Sequence, residues 1–146
     1  MGIHTAIDTS GNLGRMCSDE MLENIDLVLL DVKSGIPEIY KEVTGRDLAP
    51  TLEFGRRLAE SGTEIWIRFV LVPDLTDGWE NVEAVADYVA TLSTVSRVEV
   101  LPFHQMGADK WESLGLEYAL TETKPPSPEL VERVREQFRS RGLTTF

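Results

Sequence analysis

The sequence predicts an α/β domain built on a parallel sheet, and three features predict it. Asp26-Leu27-Val28-Leu29-Leu30-Asp31-Val32-Lys33 is an apolar run closed by an acid and a base, the pattern of a strand buried on both faces of a parallel sheet. Strand-like runs alternate with helical ones, and crossovers of that length imply βαβ units. Polar or charged residues stand at the carboxyl end of each strand-like run, where parallel α/β proteins place their ligands.

Taken in order, Ile3-His4-Thr5-Ala6-Ile7-Asp8-Thr9-Ser10-Gly11 reads as a short strand stopping in turn formers. It starts with almost no lead-in, so a preceding segment is expected to be missing. Ser18 is an N-cap for a short helix to Glu23, with Met21, Leu22 and Ile25 inward. The strand from Asp26 to Asp31 follows. Gly35-Ile36-Pro37 turns the chain into a helix to about Val43, closed by Thr44-Gly45. A second helix runs from about Pro50 to Ser61, with Leu52, Gly55, Leu58 and Ala59 on one face and Gly62 as its stop.

Glu64 to Pro73 is the longest strand, with Arg68 in its middle. A guanidinium there must line a polar cavity or meet a carboxylate, because burying it unpaired is costly. Asp77-Gly78-Trp79-Glu80 reads as a capping box, followed by Val82, Val85, Ala86, Val89 and Leu92 at helical spacing. Arg97 to Pro102 is a fourth strand, and Phe103-His104-Gln105-Met106-Gly107 is its carboxyl-end loop. Ala108 to Tyr118 is expected to be loop with a helical turn carrying Lys110 and Trp111. After Lys124-Pro125-Pro126, Ser127 caps a last helix begun by Pro128, with Leu130, Val131, Val134 and Phe138 inward and Gly142 as stop. Arg139 and Arg141 sit near its negative end.

The chain has 146 residues, and residues 1–146 are expected to form one domain. Twenty-five acidic against fourteen basic residues, a formal charge of −11, argue against a nucleic acid or an anionic membrane as partner. No apolar run approaches the roughly 20 residues of a membrane span, and Met1-Gly2 lacks the following Ser or Thr of a myristoylation start. The single cysteine, Cys17, excludes an internal disulfide and any multi-cysteine metal site, and fits the cytoplasm.

The four strand ends carry Asp8, then Asp31 with Lys33, then Arg68, then His104. Parallel strands end on one side, so these groups are expected to converge on one pocket. Lys33 and Arg68 suit carboxylate or phosphate, the aspartates suit ammonium, hydroxyls or a cation, and His104 can donate to or stack on a ring. The same set fits an aldolase-like barrel fragment using the Lys33 amine for a Schiff base.

An ordered series of segments resembles the pyruvate formate-lyase activating enzymes, which are radical S-adenosylmethionine (SAM) proteins acting on glycyl radical enzymes. The series is Asp8-Thr9-Ser10-Gly11, Leu29-Leu30-Asp31-Val32-Lys33, Thr51-Leu52-Glu53-Phe54, Trp66-Ile67-Arg68-Phe69-Val70-Leu71-Val72-Pro73, Leu101-Pro102-Phe103-His104 with Gly107 and Lys110-Trp111, and Lys124-Pro125-Pro126. The resemblance implies parallel βα units forming the carboxyl-terminal half of a partial, TIM-like barrel of six such units. It implies SAM contacts at Asp31, Lys33, Arg68, Val70 and His104, and a monovalent cation at Asp8, Thr9 and Asp31. It implies a glycyl radical enzyme as partner, pyruvate formate-lyase or a relative.

The family's Cys-x3-Cys-x2-Cys loop and Gly-Gly-Glu segment are not in this sequence. No ligands for its 4Fe-4S cluster are therefore expected here, and the chain alone is expected to be inactive. A non-catalytic partner-binding module is the alternative. An unpaired strand at residues 3–8 is expected to drive a homo-oligomer.

Overall fold

The computed structural model describes residues 2–105, 113–115 and 120–146. Four strands form one parallel sheet in sequential order: β1 Ala6–Thr9, β2 Leu27–Asp31, β3 Glu64–Leu71 and β4 Val95–Pro102. The helices are α1 Asp19–Glu23, α2 Pro37–Thr44, α3 Ala49–Glu60, α4 Trp79–Ala90 and α5 Pro128–Arg139, with a 3-10 turn at Gly14–Met16. Sequential order without a switch point gives a sheet that curls as an arc of a barrel, and the barrel is not closed.

β3 shows the design most clearly. Ile65, Ile67, Phe69 and Leu71 are fully buried, while Trp66, Arg68 and Val70 between them are half-buried. Period-two alternation places the first set toward the helices and the second on the opposite face. Val28, Leu30 and Val32, then Val98 and Val100, continue the helix-side face. Against it pack Phe54 and Leu58 of α3, Val82, Val85, Ala86 and Val89 of α4, and Val131, Val134 and Phe138 of α5. The Phe69 and Phe138 rings meet at 6.0 Å with a 59° tilt. Each such buried aromatic or aliphatic side chain stabilises by about 1.5–3 kcal/mol.

Several boundaries fall as expected. Ser18 caps α1 through Met21 N at 3.1 Å, and Ser127 caps α5 through Leu130 N at 3.2 Å. Gly45 ends α2 at φ 69°, the left-handed conformation that lets its N–H reach Lys41 O. The residues 144–146 extend the sheet beyond β4: Val98 N donates to Thr144 O, Phe146 N to Val98 O and Val100 N to Phe146 O. A parallel bridge joins Val98 to Thr145.

Other expectations need correction. The run at Asp26–Lys33 is fully packed on the helix side, while on the other face Leu27 is buried but Leu29 and Asp31 are half-buried. β1 begins at Ala6 rather than Ile3, which is 75% exposed. Met21 points outward, because only Leu22 and, partly, Ile25 of that segment reach the core. Asp77 is not the N-cap of α4: Gly78 holds that place without a side-chain cap. The Asp77 carbonyl instead accepts from Arg133 Nη2 at 2.7 Å. The expected turn carrying Lys110 and Trp111, with Met106 and Gly107, lies outside the described residues.

Candidate functional site on the open face of the sheet

Strand register lines the outward side chains up in rows across the face without helices. Asp8 of β1, Leu29 of β2, Trp66 of β3 and Arg97 of β4 form one row. Asp31, Arg68 and Glu99 form the next toward the carboxyl ends, followed by Val70 beside Leu101.

The polar groups of these rows are joined. Arg68 Nη1 donates to Asp8 Oδ2 at 2.7 Å, and Arg68 Nε lies 3.8 Å from Glu99 Oε2. Arg97 Nε lies 2.9 Å from Glu99 Oε1. The Arg97 guanidinium sits 5.0 Å from the Trp66 ring centroid and 3.9 Å from that of Phe146, each contact worth about 0.5–1 kcal/mol at a partly exposed site. Lys33 Nζ donates to Asp31 Oδ2 at 3.4 Å, with both groups partly exposed. Three carboxylates thus face three cations. In a chain of charge −11 this face is locally balanced, which suits a ligand carrying both signs.

A second network fixes the loop that presents Lys33. Ser34 and Asn81 are buried. Asn81 Oδ1 accepts from Ser34 Oγ at 2.7 Å and from Gly35 N at 3.0 Å, while its Nδ2 donates to Thr76 O at 2.9 Å. Thr76 Oγ1 in turn accepts from Val72 N and donates to Val70 O, both at 2.9 Å. The loops after β2 and β3 are therefore tied through one amide. Gly35 permits it, because a Cβ there would stand 2.6 Å from Val85 N and 2.7 Å from Ala84 C.

The structure brings Asp8, Asp31, Arg68 and Val70 to one face, with Lys33 beside Asp31. Thr9 faces the helix side, in register with Leu30, and its Oγ1 accepts from Gly11 N at 3.0 Å. His104 is exposed on the loop after β4, and no hydrogen bond or ion pair links it to the rows among the described residues. The groups that meet do so on an open face, as an unclosed barrel dictates. Glu99, Arg97 and Asn81 were not singled out from the sequence. Arg97-x-Glu99 alternates like Trp66-x-Arg68, a signal that becomes specific only once β3 and β4 are paired.

No protein-family model matches the chain. It is 39% identical over 136 residues to the pyruvate formate-lyase 1-activating enzyme of Escherichia coli, covering 92% of this chain and 55% of that protein. It is 40% identical over 141 residues to the pyruvate formate-lyase-activating enzyme of Streptococcus mutans, covering 92% and 54%. The chain is homologous to the pyruvate formate-lyase-activating enzymes. It spans about half the length of the curated relatives it matches.

Solved structures share the fold of this chain. A domain of pyruvate-formate lyase-activating enzyme from Bacteroides vulgatus superposes with a TM-score of 0.77 at 22% identity, covering 99% of this chain and 81% of that one. A radical SAM methyltransferase from Sphaerobacter thermophilus gives 0.70 at 16% identity, over 97% of this chain and 39% of that one. Streptococcus suis SuiB, solved bound to S-adenosylmethionine, gives 0.69 at 15% identity, over 99% and 32%. The parallel arc thus has the fold of an arc of a TIM-like barrel, and in such barrels the helices lie outside, so the face without helices corresponds to the inner one. No helix among the described residues is long and apolar enough to cross a membrane.

Proposed function

We propose that the open face is the S-adenosylmethionine-binding face of a glycyl-radical activating enzyme, working in the cytoplasm within a protein that also provides a 4Fe-4S cluster. The observation that supports this most is the linked set Asp8, Arg68 and Glu99, with Asp31 and Lys33 alongside, on the one sheet face without helices. Lys33 and Arg68 would hold the carboxylate of SAM, Asp31 its ammonium, and Val70 an apolar part of it, with His104 toward the adenosine end. Bound SAM supplies a sulfonium whose carbon–sulfur bond is open to reductive cleavage. The chain's own part is to orient the ligand and keep its charges paired. A monovalent cation at Asp8, Thr9 and Asp31 belongs to the same reading, with Asp8 then sharing its carboxylate with Arg68, and with Thr9, whose side chain lies on the helix side, contributing through its main chain.

The cluster itself does not fit this chain. Such a cluster with one iron open to SAM needs three thiolates, whereas Cys17 is the single cysteine. Among the described residues no group of three metal-ligating side chains exists. No radical step is therefore assigned to any residue here. The partner of the reading is a glycyl radical enzyme, pyruvate formate-lyase or a relative, met by the loops around Lys33 and after Phe103.

Titration calorimetry of SAM into the full chain tests the proposal. Binding that Asp31→Ala weakens about tenfold, the loss of one charged hydrogen-bonding partner, is the expected result. Absence of heat with the unaltered chain overturns the SAM reading. Binding of the lyase without binding of SAM identifies a partner-binding module instead.

The outer edge of β1 also bears on assembly. Among the described residues β1 pairs only with β2, and beside it Ile7, Leu13, Met16 and Met21 line an apolar groove, with the last three exposed. A strand edge next to apolar surface favours pairing with another copy. Sedimentation at high concentration should show a dimer, and a monodisperse monomer would count against it.

A further inference from the structure

Among the described residues Glu99 is the one carboxylate on the open face that meets two arginines. It stands in register with Arg68, which itself stands in register with Asp31. Its side chain is 18% exposed, against 27% for Asp31 and 53% for Asp8, so it is the most enclosed acid of the three. One oxygen faces Arg97 Nε at 2.9 Å and the other faces Arg68 Nε at 3.8 Å. Neither contact has the alignment of a hydrogen bond, and both Nε atoms are buried without another partner among the described residues. Two guanidinium groups are therefore held by charge from a single point between them.

That arrangement decides where Arg68 directs its donors. A guanidinium is planar, with five donors in a fixed fork, so fixing two points fixes the rest. Asp8 holds Nη1 at 2.7 Å and Glu99 draws the Nε edge inward toward β4. Without the Glu99 charge, Arg68 and Arg97 repel across adjacent strands, and Arg68 is free to swing out with the exposed Asp8. Arg97 has a second anchorage in the Trp66 and Phe146 rings. Arg68 has none of that kind, so the loss falls on Arg68.

We infer that Glu99 is a positioning residue, setting the orientation in which Arg68 presents its guanidinium to an anionic group of the ligand. The inference rests on the SAM-face reading above. It adds a residue to which neither the strand-end pattern nor the resemblance assigns a role.

Two measurements on the full chain test it: calorimetry with SAM as the probe, and the side-chain Nε–H resonance of Arg68 in nuclear magnetic resonance, assigned by its loss in Arg68→Lys. Glu99→Gln keeps shape and removes charge. It should weaken SAM binding about tenfold, the effect of removing one charge-assisted contact, and shift or broaden the Arg68 signal while the backbone spectrum stays native. Glu99→Asp keeps the charge and should restore part of both effects. An unchanged Arg68 signal in Glu99→Gln overturns the inference whether or not SAM binds. If the unaltered chain binds no SAM, the functional reading fails, and the resonance alone then decides for or against Glu99. Should Glu99→Gln fail to fold, Glu99→Ala, which also removes the charge, is judged on the same signal, and no change there overturns the inference.

Discussion

Arg68 on β3 reaches across β2 to hold Asp8 on β1, closing a 2.7 Å ion pair over an intervening strand. Strands two apart in a flat sheet are separated by roughly 10 Å. The long Arg68 side chain covers that gap, so the pair ties β1 to β3 over the open face. Asp8→Asn should lower stability by only about 0.5 kcal/mol, as for other exposed pairs, yet weaken SAM binding several-fold by freeing Arg68. Urea unfolding and calorimetry on the same variant separate the two effects, and a large stability loss would contradict the assignment.

Asn81→Ala removes the amide that joins Ser34, Gly35 and Thr76. Leaving buried donors and acceptors unsatisfied should cost about 2–3 kcal/mol, read as a lower urea midpoint. Amide exchange at Ser34–Ile36 should quicken more than exchange in β3, because the loop presenting Lys33 loses its tie to the β3 loop.

Gly35→Ala places a Cβ against the backbone of α4, at Val85 N and Ala84 C. Backbone has no rotamer with which to yield, so α4 must shift. A loss of about 3 kcal/mol or more is expected, seen as a lower melting temperature. Gly78→Ala, where the Cβ would meet no atom within 4 Å, is the control and should cost only the poorer N-cap, about 1 kcal/mol or less.

Acid stability should carry the signature of Glu83. Arg141 donates to Glu83 Oε2 at 2.5 Å and to Asp87 Oδ1 at 2.7 Å, tying the end of α5 to α4. The Arg141 hydrogen bond, then that from Gln137, holds the Glu83 carboxyl below its usual value. A carboxyl lowered on folding stabilises above its unfolded pKa, and that contribution is lost as pH falls through the folded one. The melting-temperature gap between the unaltered chain and Glu83→Gln should be constant above about pH 5 and shrink in more acidic buffer. A gap that widened with acid would refute the pairing.

At the alkaline end, Tyr88 lies across Gly55 and donates to Leu52 O at 2.8 Å. Burial pushes its phenol up to about 12, with nearby Arg56 opposing the rise. The folded state then keeps a proton that the unfolded state releases near pH 10. Stability present below that point is lost as pH rises toward 12. Tyr88→Phe should abolish this alkaline loss, and near-ultraviolet absorbance should show a late phenolate signal that is missing from Tyr88→Phe.

The fold was legible because its signals are local. Ile65, Ile67, Phe69 and Leu71 alternate with polar or half-buried residues, and Val82, Val85, Ala86 and Val89 recur at helical spacing; both patterns come from one-sided burial. The capping box at Asp77 misled because its tertiary use won: Arg133, 56 residues away, takes the carbonyl, and Gly78 is left as the cap. Asp8, Asp31 and Arg68 were found because strand ends can be read from sequence. Glu99 and Asn81 were not, since their roles depend on which strand lies beside which, and on a Ser34 hydroxyl 47 positions from Asn81. The apolar run at Leu27–Leu30 carries no trace of whether its second face meets protein or a hollow.

The short stretch Thr144–Phe146 occupies the outer side of β4, which gives the sheet a stopper at one margin, while no strand among the described residues pairs with the outer side of β1. Strand-by-strand growth needs two receptive sides. Copies meeting through β1 should therefore end as closed couples rather than fibres, and a concentrated solution should stay clear. Removing those three residues should convert it into one that scatters light.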